Sequence, residues 1–285
     1  MRNGTLRWKL QSIVGLGKPD GMISIVAHRA TGESNSLEAL RRAAASDTSG
    51  VELDVMVTAD AVPVVSHDMD LATAGSPRIN LLTAADCVSH VPSLAEALEA
   101  LGECRLIYLH YKRENEGTGS SSVDVGSHAA AIARCVEDAS LAGTVVVMVE
   151  SGNTGPFRMN APKLEVLRCW LGAKKQPGRF SYLDDQQGGS GYVGIYHSPR
   201  QLSVLGRVLH RVGLRRTGVL LGFGPTRRLL ERVRSDCHHI VVFTINDPWL
   251  MNLYWCAGVD AVGTDTPERL LREIEARTFR GDRDR

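Results

Sequence analysis

The stretch Val51-Glu52-Leu53-Asp54-Val55-Met56-Val57 is the one whose reading decides the fold. Its alternation predicts a strand with Val51, Leu53, Val55 and Val57 on one face and Glu52, Asp54 and Met56 on the other. Two carboxylates then point the same way from the interior of an apolar strand, a few ångströms apart. Left alone they repel each other and lose their water, at a cost on the order of several kcal/mol. A hard divalent cation uses oxygen ligands and removes that cost. An edge strand with one wet face accounts for the same pattern without any ligand.

Working outward, Met22-Ile23-Ser24-Ile25-Val26-Ala27 reads as a buried parallel strand that stops at His28-Arg29. A helix from about Asn35 to Ala45 follows, with Asn35 or Ser36 as its N-cap. A run from Val62 to Ser66 leads into His67-Asp68, and Ser93 caps a helix through Leu101. Further strands are expected at Arg105 to His110, Thr144 to Val149, Tyr192 to Tyr196, Gly218 to Leu221, His239 to Ile245 and Val259 to Gly263. Helices are expected at Val123 to Leu141, Arg200 to Val212, Pro248 to Cys256 and Pro267 to Arg277. Leu164 to Leu171 fits either state, and Gln176 to Ser190 reads as a loop.

Alternation of strand and helix argues for a parallel sheet with helices outside it, either doubly wound or closed into a barrel. The polar residues separate the two. His28, Glu52, Asp54, His67, Lys112, Glu150, Asn246 and Asp265 all lie at or near strand C-terminal ends, on strands spread along the whole chain. That suits a closed ring better than a single crevice. The expectation is a single-domain α/β protein, a TIM-type (β/α)8 barrel over residues 22–277, between an N-terminal extension, 1–21, and a charged tail, 278–285.

The 285 residues are enough to bury a large core without disulfides or structural metal. With 33 basic and 32 acidic residues the net charge is +1, so no global field points to nucleic acid or to an acidic membrane. The six cysteines are scattered and form no CxxC pair; several sit in apolar runs, as buried thiols do in a reducing compartment. The first 21 residues lack a sustained apolar run, so neither a signal peptide nor a membrane span is expected, and the location reads as cytoplasmic. No GxGxxG, Walker A or GxSxG motif is expected, which argues against nucleotide cofactors of those types. The basic stretch Arg200 to Arg216 reads as a solvated helix face.

One histidine at a strand end is commonly structural. Two of them, His28 and His67, bracketing a two-carboxylate strand suit acid–base chemistry on a phosphodiester. One imidazole activates the attacking oxygen and the other protonates the leaving one. Arg29 and Lys112 are placed to neutralise phosphoryl oxygens.

With these residues the chain resembles the glycerophosphodiester phosphodiesterase family. The resemblance rests on Ala27-His28-Arg29, Asn35-Ser36-Leu37-Glu38-Ala39-Leu40, Gly50-Val51-Glu52-Leu53-Asp54-Val55 and Val62-Pro63-Val64-Val65-Ser66-His67-Asp68. It continues through Val91-Pro92-Ser93-Leu94-Ala95-Glu96-Ala97-Leu98, Phe243-Thr244-Ile245-Asn246 and Gly258-Val259-Asp260-Ala261-Val262-Gly263-Thr264-Asp265. Little matches between about 115 and 215. The resemblance implies a TIM-type barrel, a Mg²⁺ or Ca²⁺ site, a small-molecule phosphodiester substrate, and the two histidines as acid and base. In the related sphingomyelinase D-like enzymes the substrate's own hydroxyl attacks and leaves a cyclic phosphate.

This chain departs from the family pattern in three places. The glutamate usual before the Asn-Ser step is Ser34, with Glu33 one residue earlier. The usual tryptophan of the penultimate strand is Phe243, which implies a different pocket lining. The family's Glu-x-Lys, whose glutamate binds the metal, is here His110-Tyr111-Lys112. Three outcomes stay open: His110 ligates and tilts the preference toward Mn²⁺ or another transition ion; Glu150 supplies the missing oxygen; or metal binding weakens and activity is altered or lost.

Overall fold

The computed structural model describes residues 23–30, 35–68, 70–71, 77–112, 124–150, 154–170, 192–196, 202–234 and 239–281. The extension 1–21, the loop expected at 176–190, and Glu33 and Ser34 lie outside these. The chain divides into two compact units, residues 25–169 with 263–285, and residues 170–262 with 1–24.

In the first unit the order is β1 (Ser24–His28), α1 (Leu37–Ala44), β2 (Gly50–Val57), β3 (Pro63–Val65), α2 (Ala84–Cys87), α3 (Leu94–Ala100), β4 (Leu106–Tyr111), α4 (Val125–Asp138), β5 (Thr144–Glu150), α5 (Thr154–Asn160) and β6 (Glu165–Trp170). β2 runs parallel to β1 on one edge and to β4 on the other; β5 and β6 continue the parallel order. Helices cross over between successive parallel strands, as that geometry demands. Every residue of β2 is buried, so the wet-edge explanation of Glu52 and Asp54 is ruled out.

The alternation in β2 has the predicted consequence. Val51, Leu53, Val55 and Val57 join the main apolar core with Leu40, Leu94, Leu98, Ile107, Leu109, Ile132 and Val147. Met56, on the other face, packs in a small cluster with Val64, Leu71, Ile79 and Cys87. Ser36 caps α1, accepting from the Ala39 N–H, so Asn35 is not the cap. Ser93 and Glu96 form a reciprocal capping box at the start of α3.

One run departs from simple βα alternation. β3 pairs antiparallel with β2, Val55 opposite Val65 and Val57 opposite Pro63. A tight turn closed by Thr58, whose hydroxyl bonds Asp60 and Val62, sends the chain straight back before any helix intervenes. β3 occupies the stretch of the β2 edge that β1, paired only at 50–52, leaves open.

The second unit holds β7 (Tyr192–Tyr196), α6 (Val204–Arg211), α7 (Arg215–Gly222), α8 (Gly224–Arg234), β8 (His239–Phe243), α9 (Pro248–Cys256) and the start of β9 (Ala261–Thr264). β7, β8 and β9 are parallel neighbours, and Phe243 is fully buried. The strand expected at Gly218 to Leu221 is helix instead, part of α7. Gly218 and Gly222, four residues apart, share one helix face, and a Cβ on Gly218 would lie 2.6 Å from the Gly206 carbonyl of α6. That close approach overrides the strand preference of Val219-Leu220-Leu221. Leu164 to Leu171 resolves as strand β6. Against the expectation that the chain holds no GxGxxG spacing, Gly189-Ser190-Gly191-Tyr192-Val193-Gly194 has it, but its last three residues lie in strand β7 and open no helix. The final helix, α10 (Pro267–Gly281), runs past Arg277 because no glycine or proline interrupts it earlier. Among the described residues no helix is long and apolar enough to cross a membrane.

Candidate active site

All the following contacts lie within the first unit. The register of the parallel strands sets Asp54 beside His110, and His28 beside Glu52. Glu52, Asp54 and His110 are all buried, and a ligand atom from each lies within 4.8 Å of the others. One cation with bonds of about 2.0–2.4 Å spans that spread. His110 Nδ1 is 3.2 Å from Asp54 Oδ1 and 3.7 Å from Glu52 Oε1. Lys112 Nζ also reaches Asp54 Oδ1 at 3.2 Å, and Arg29 Nε lies 3.4 Å from Asp54 Oδ2. The backbone N–H of Arg29 donates to Glu52 Oε2 at 3.1 Å. Arg29 and Ala30 both adopt positive φ, 49° and 52°, a conformation costing roughly 1 kcal/mol or more for each non-glycine residue.

The charges do not balance evenly. Burial alone would raise the Asp54 carboxyl, but hydrogen bonding from His110 and the charge of Lys112 hold it below its ordinary value. Glu52 lacks such support: burial and then repulsion from Asp54 push it from 4.5 up to about 7. Among the described residues Glu52 Oε1 and Asp54 Oδ2 find no hydrogen-bond donor. Burial keeps the His110 imidazole below its ordinary value, hence neutral at pH 7 with a lone pair to offer. Two oxygens short of donors and one neutral imidazole fit a divalent metal ion.

A prediction follows from Glu52. A carboxyl that holds its proton more tightly in the folded than in the unfolded state stabilises folding at low pH and progressively less as pH rises from 4.5 to 7. In metal-free protein, Glu52→Gln is therefore expected to gain thermal stability over the parent chain by a margin that widens across that window. The plateau is on the order of 3 kcal/mol. A margin constant in pH, read from paired melting curves, would contradict the assignment.

His28 and His67 are oriented alike. His28 Nδ1 lies 2.6 Å from Asp265 Oδ1, and His67 Nδ1 lies 2.7 Å from Asp68 Oδ1. With Nδ1–H donated to a carboxylate, Nε2 carries the exchangeable proton. His28 Nε2 stands 3.8 Å from Glu52 Oε2. The antiparallel turn of β3 brings His67 back: Ser66 N donates to Asp54 O, so the chain re-enters the level of the carboxylates just before His67. Its side chain is 37% exposed, against 7% for His28.

A cleft of about 680 Å³ adjoins the cluster, lined among others by Arg29, Asn35, His67, Asp68, His90 and Glu96. Asn35 is buried, and neither its Oδ1 nor its Nδ2 has a protein partner among the described residues. The sequence placed Asn35 only at a helix start and Asp265 only at a strand end. Nothing local in it said that Asp265 would meet a histidine 237 positions away. Glu150 closes β5, two residues past Met148, which pairs with His110. Its side chain lies outside the described part.

A model of the glycerophosphoryl diester phosphodiesterase family matches residues 27–161. These residues carry the whole Glu52–Asp54–His110 cluster and both histidines. Glycerophosphodiester phosphodiesterase 1 of Rattus norvegicus is 44% identical over 71 residues, 23% of this chain and 22% of its own length. The match to glycerophosphodiester phosphodiesterase domain-containing protein 4 of Mus musculus is longer, 22% identical over 260 residues, 86% of this chain and 39% of that one. The chain thus spans well under half the length of these curated relatives. Among solved structures, a phosphodiesterase of Oleispira antarctica in complex with the product sn-glycerol-3-phosphate superposes with a TM-score of 0.66 at 18% identity, over 93% of this chain and 99% of that one. A glycerophosphoryl diester phosphodiesterase structure from Silicibacter pomeroyi gives 0.68 at 19% identity, over 92% and 96%. The fold class is therefore the α/β TIM-type barrel expected from the strand-end residues.

Proposed function

We propose that this chain cleaves a glycerophosphodiester-like small molecule, with a divalent cation held by Glu52, Asp54 and His110, and with His28 and His67 as the acid–base pair. The observation that carries the reading is the buried triad in which Glu52 Oε1 and Asp54 Oδ2 lack donors among the described residues. When bound, the cation polarises the phosphoryl group and offsets its charge. Arg29 and Lys112, already drawn to Asp54, turn toward the phosphoryl oxygens. One imidazole takes the proton of the attacking water as the new P–O bond forms. The other gives its proton to the leaving alkoxide as the old P–O bond breaks, releasing a phosphomonoester and an alcohol. The Asn35 amide, without a protein partner among the described residues, is suited to the hydroxyls of the alcohol moiety. A product complex of sn-glycerol-3-phosphate in a protein of the same fold supports the substrate class. Cys87, Cys104, Cys135 and Cys256 are free thiols, which supports a reducing, cytoplasmic setting.

Phosphorus NMR of the purified chain with glycerophosphodiesters and Mg²⁺, Ca²⁺ or Mn²⁺ in turn tests this. A phosphomonoester product is expected. A cyclic phosphate identifies a cyclising lyase, and binding without turnover a phospho-ligand-binding barrel; either result overturns the hydrolytic reading.

Of the two rival third ligands, His110 is favoured because its ring nitrogen approaches both carboxylates. An imidazole in place of a carboxylate favours Mn²⁺ over Mg²⁺ and Ca²⁺. Calorimetric titration is expected to show Mn²⁺ bound roughly tenfold or more tighter than Ca²⁺, with His110→Glu narrowing or reversing the order. An order unchanged by the substitution returns the third position to Glu150.

A further inference from the structure

The basic stretch ahead of β8 takes no part in the reaction proposed above. Between Asp185 and Glu231 the sequence holds seven arginines and no acidic residue, in a chain whose net charge is only +1. Its centre is the hairpin of α6 and α7. A Cβ on Gly206 would lie 2.5 Å from Gly222 Cα and 2.6 Å from the Gly218 carbonyl, so the two helices meet backbone against backbone. The large apolar side chains are left out of that contact. Val204, Val208 and Val212 recur every four residues with Leu205 beside them, a single stripe on the side of α6 away from Gly206. These four, with Leu214 and Leu221 of the same hairpin, are each more than half exposed. A surface helix ordinarily turns such a stripe inward.

The flanking charge identifies the occupant. Arg207, Arg211 and Arg215 are exposed beside the stripe, and no carboxylate pairs with them among the described residues. Arg216 pairs with Asp247 at 3.3 Å and lies over the Trp249 ring at 5.8 Å. We propose that the α6–α7 hairpin docks the protein on an anionic lipid surface, with the stripe entering the headgroup–acyl boundary and the arginines meeting lipid phosphates. A nucleic acid would neutralise the arginines but leave six aliphatic side chains in water, and no Phe, Tyr or Trp lies between Leu202 and Gly222 to stack on bases. A second copy would cover the stripe but set arginines against arginines. An anionic bilayer satisfies both features, and the inference stands whatever reaction the barrel performs.

Co-sedimentation of the full chain with phosphatidylcholine vesicles, with and without phosphatidylglycerol, tests it. Binding is expected only to the anionic vesicles and is weakened by salt. Val208→Asp with Val212→Asp, and separately Arg207→Glu with Arg211→Glu, should each reduce it about tenfold or more. Unchanged circular dichroism and melting would show that these exposed positions leave the fold intact. Three results would overturn the proposal: no vesicle binding at low salt, binding indifferent to lipid charge, or binding that both variants retain. So would a dimer in light scattering that Val208→Asp dissociates, or oligonucleotide binding, lost with Arg207→Glu and Arg211→Glu, in a protein that ignores vesicles.

Discussion

Asp54→Asn is expected to abolish divalent-cation binding and to lower kcat/KM by about 10³-fold or more. Asp54 is the carboxylate on which the site converges: His110 and Lys112 approach one oxygen, Arg29 the other. Its amide counterpart has nearly the same shape but no charge. Lys112 and Arg29 then face each other's field without an anion between them, and His110 loses an acceptor. Glu52, already pushed up to about 7, is left as the one carboxylate of the cluster and is expected to bind metal poorly alone. Calorimetry with Mn²⁺ and turnover by phosphorus NMR check both halves. Retained cation affinity in a folded Asp54→Asn variant places the metal elsewhere and ends the triad assignment.

His28→Ala and His67→Ala are each expected to lower kcat by about 10²- to 10⁴-fold, the usual range for a positioned proton donor or acceptor. The two variants should differ in what else they change. His67 is half-exposed, and its partner Asp68 is mostly exposed, so His67→Ala should leave both the melting temperature and the cation affinity nearly intact. His28 is buried between Asp265 and Glu52, so its removal should also cost stability. If the rings act on one reaction coordinate, the double variant should be little slower than the slower single one. Activity undiminished in both single variants would sink the acid–base assignment, whatever the metal does.

The register explains why His110 joins the site. In sequence it is the residue two before a lysine, at a position where the family pattern has a glutamate, and its own strand gives no hint of its partner. Parallel pairing of β2 with β4 puts it level with Asp54, and burial leaves its imidazole neutral. The same limit applies to His67. Val62 to Ser66 shows a strand, but only the antiparallel return along β2 carries the following histidine back to the carboxylates. In the second unit, Val219-Leu220-Leu221 has strand-like composition, and a glycine contact with α6 made it helix.

The alternating carboxylates of β2 were legible from the chain alone, and so were the histidines at strand ends and the Ser93–Glu96 cap. Each is a local pattern: a strand repeats every two residues, and a cap reaches three residues along. Tertiary structure alone decided that Glu52 and Asp54 are fully buried on a strand with neighbours on both edges. It also decided that His110 faces them and that Asp265 holds His28 from the far end of the chain. Those facts depend on which distant segments pair and in what register. That choice is made by burying apolar faces together, a property no single segment of the sequence contains.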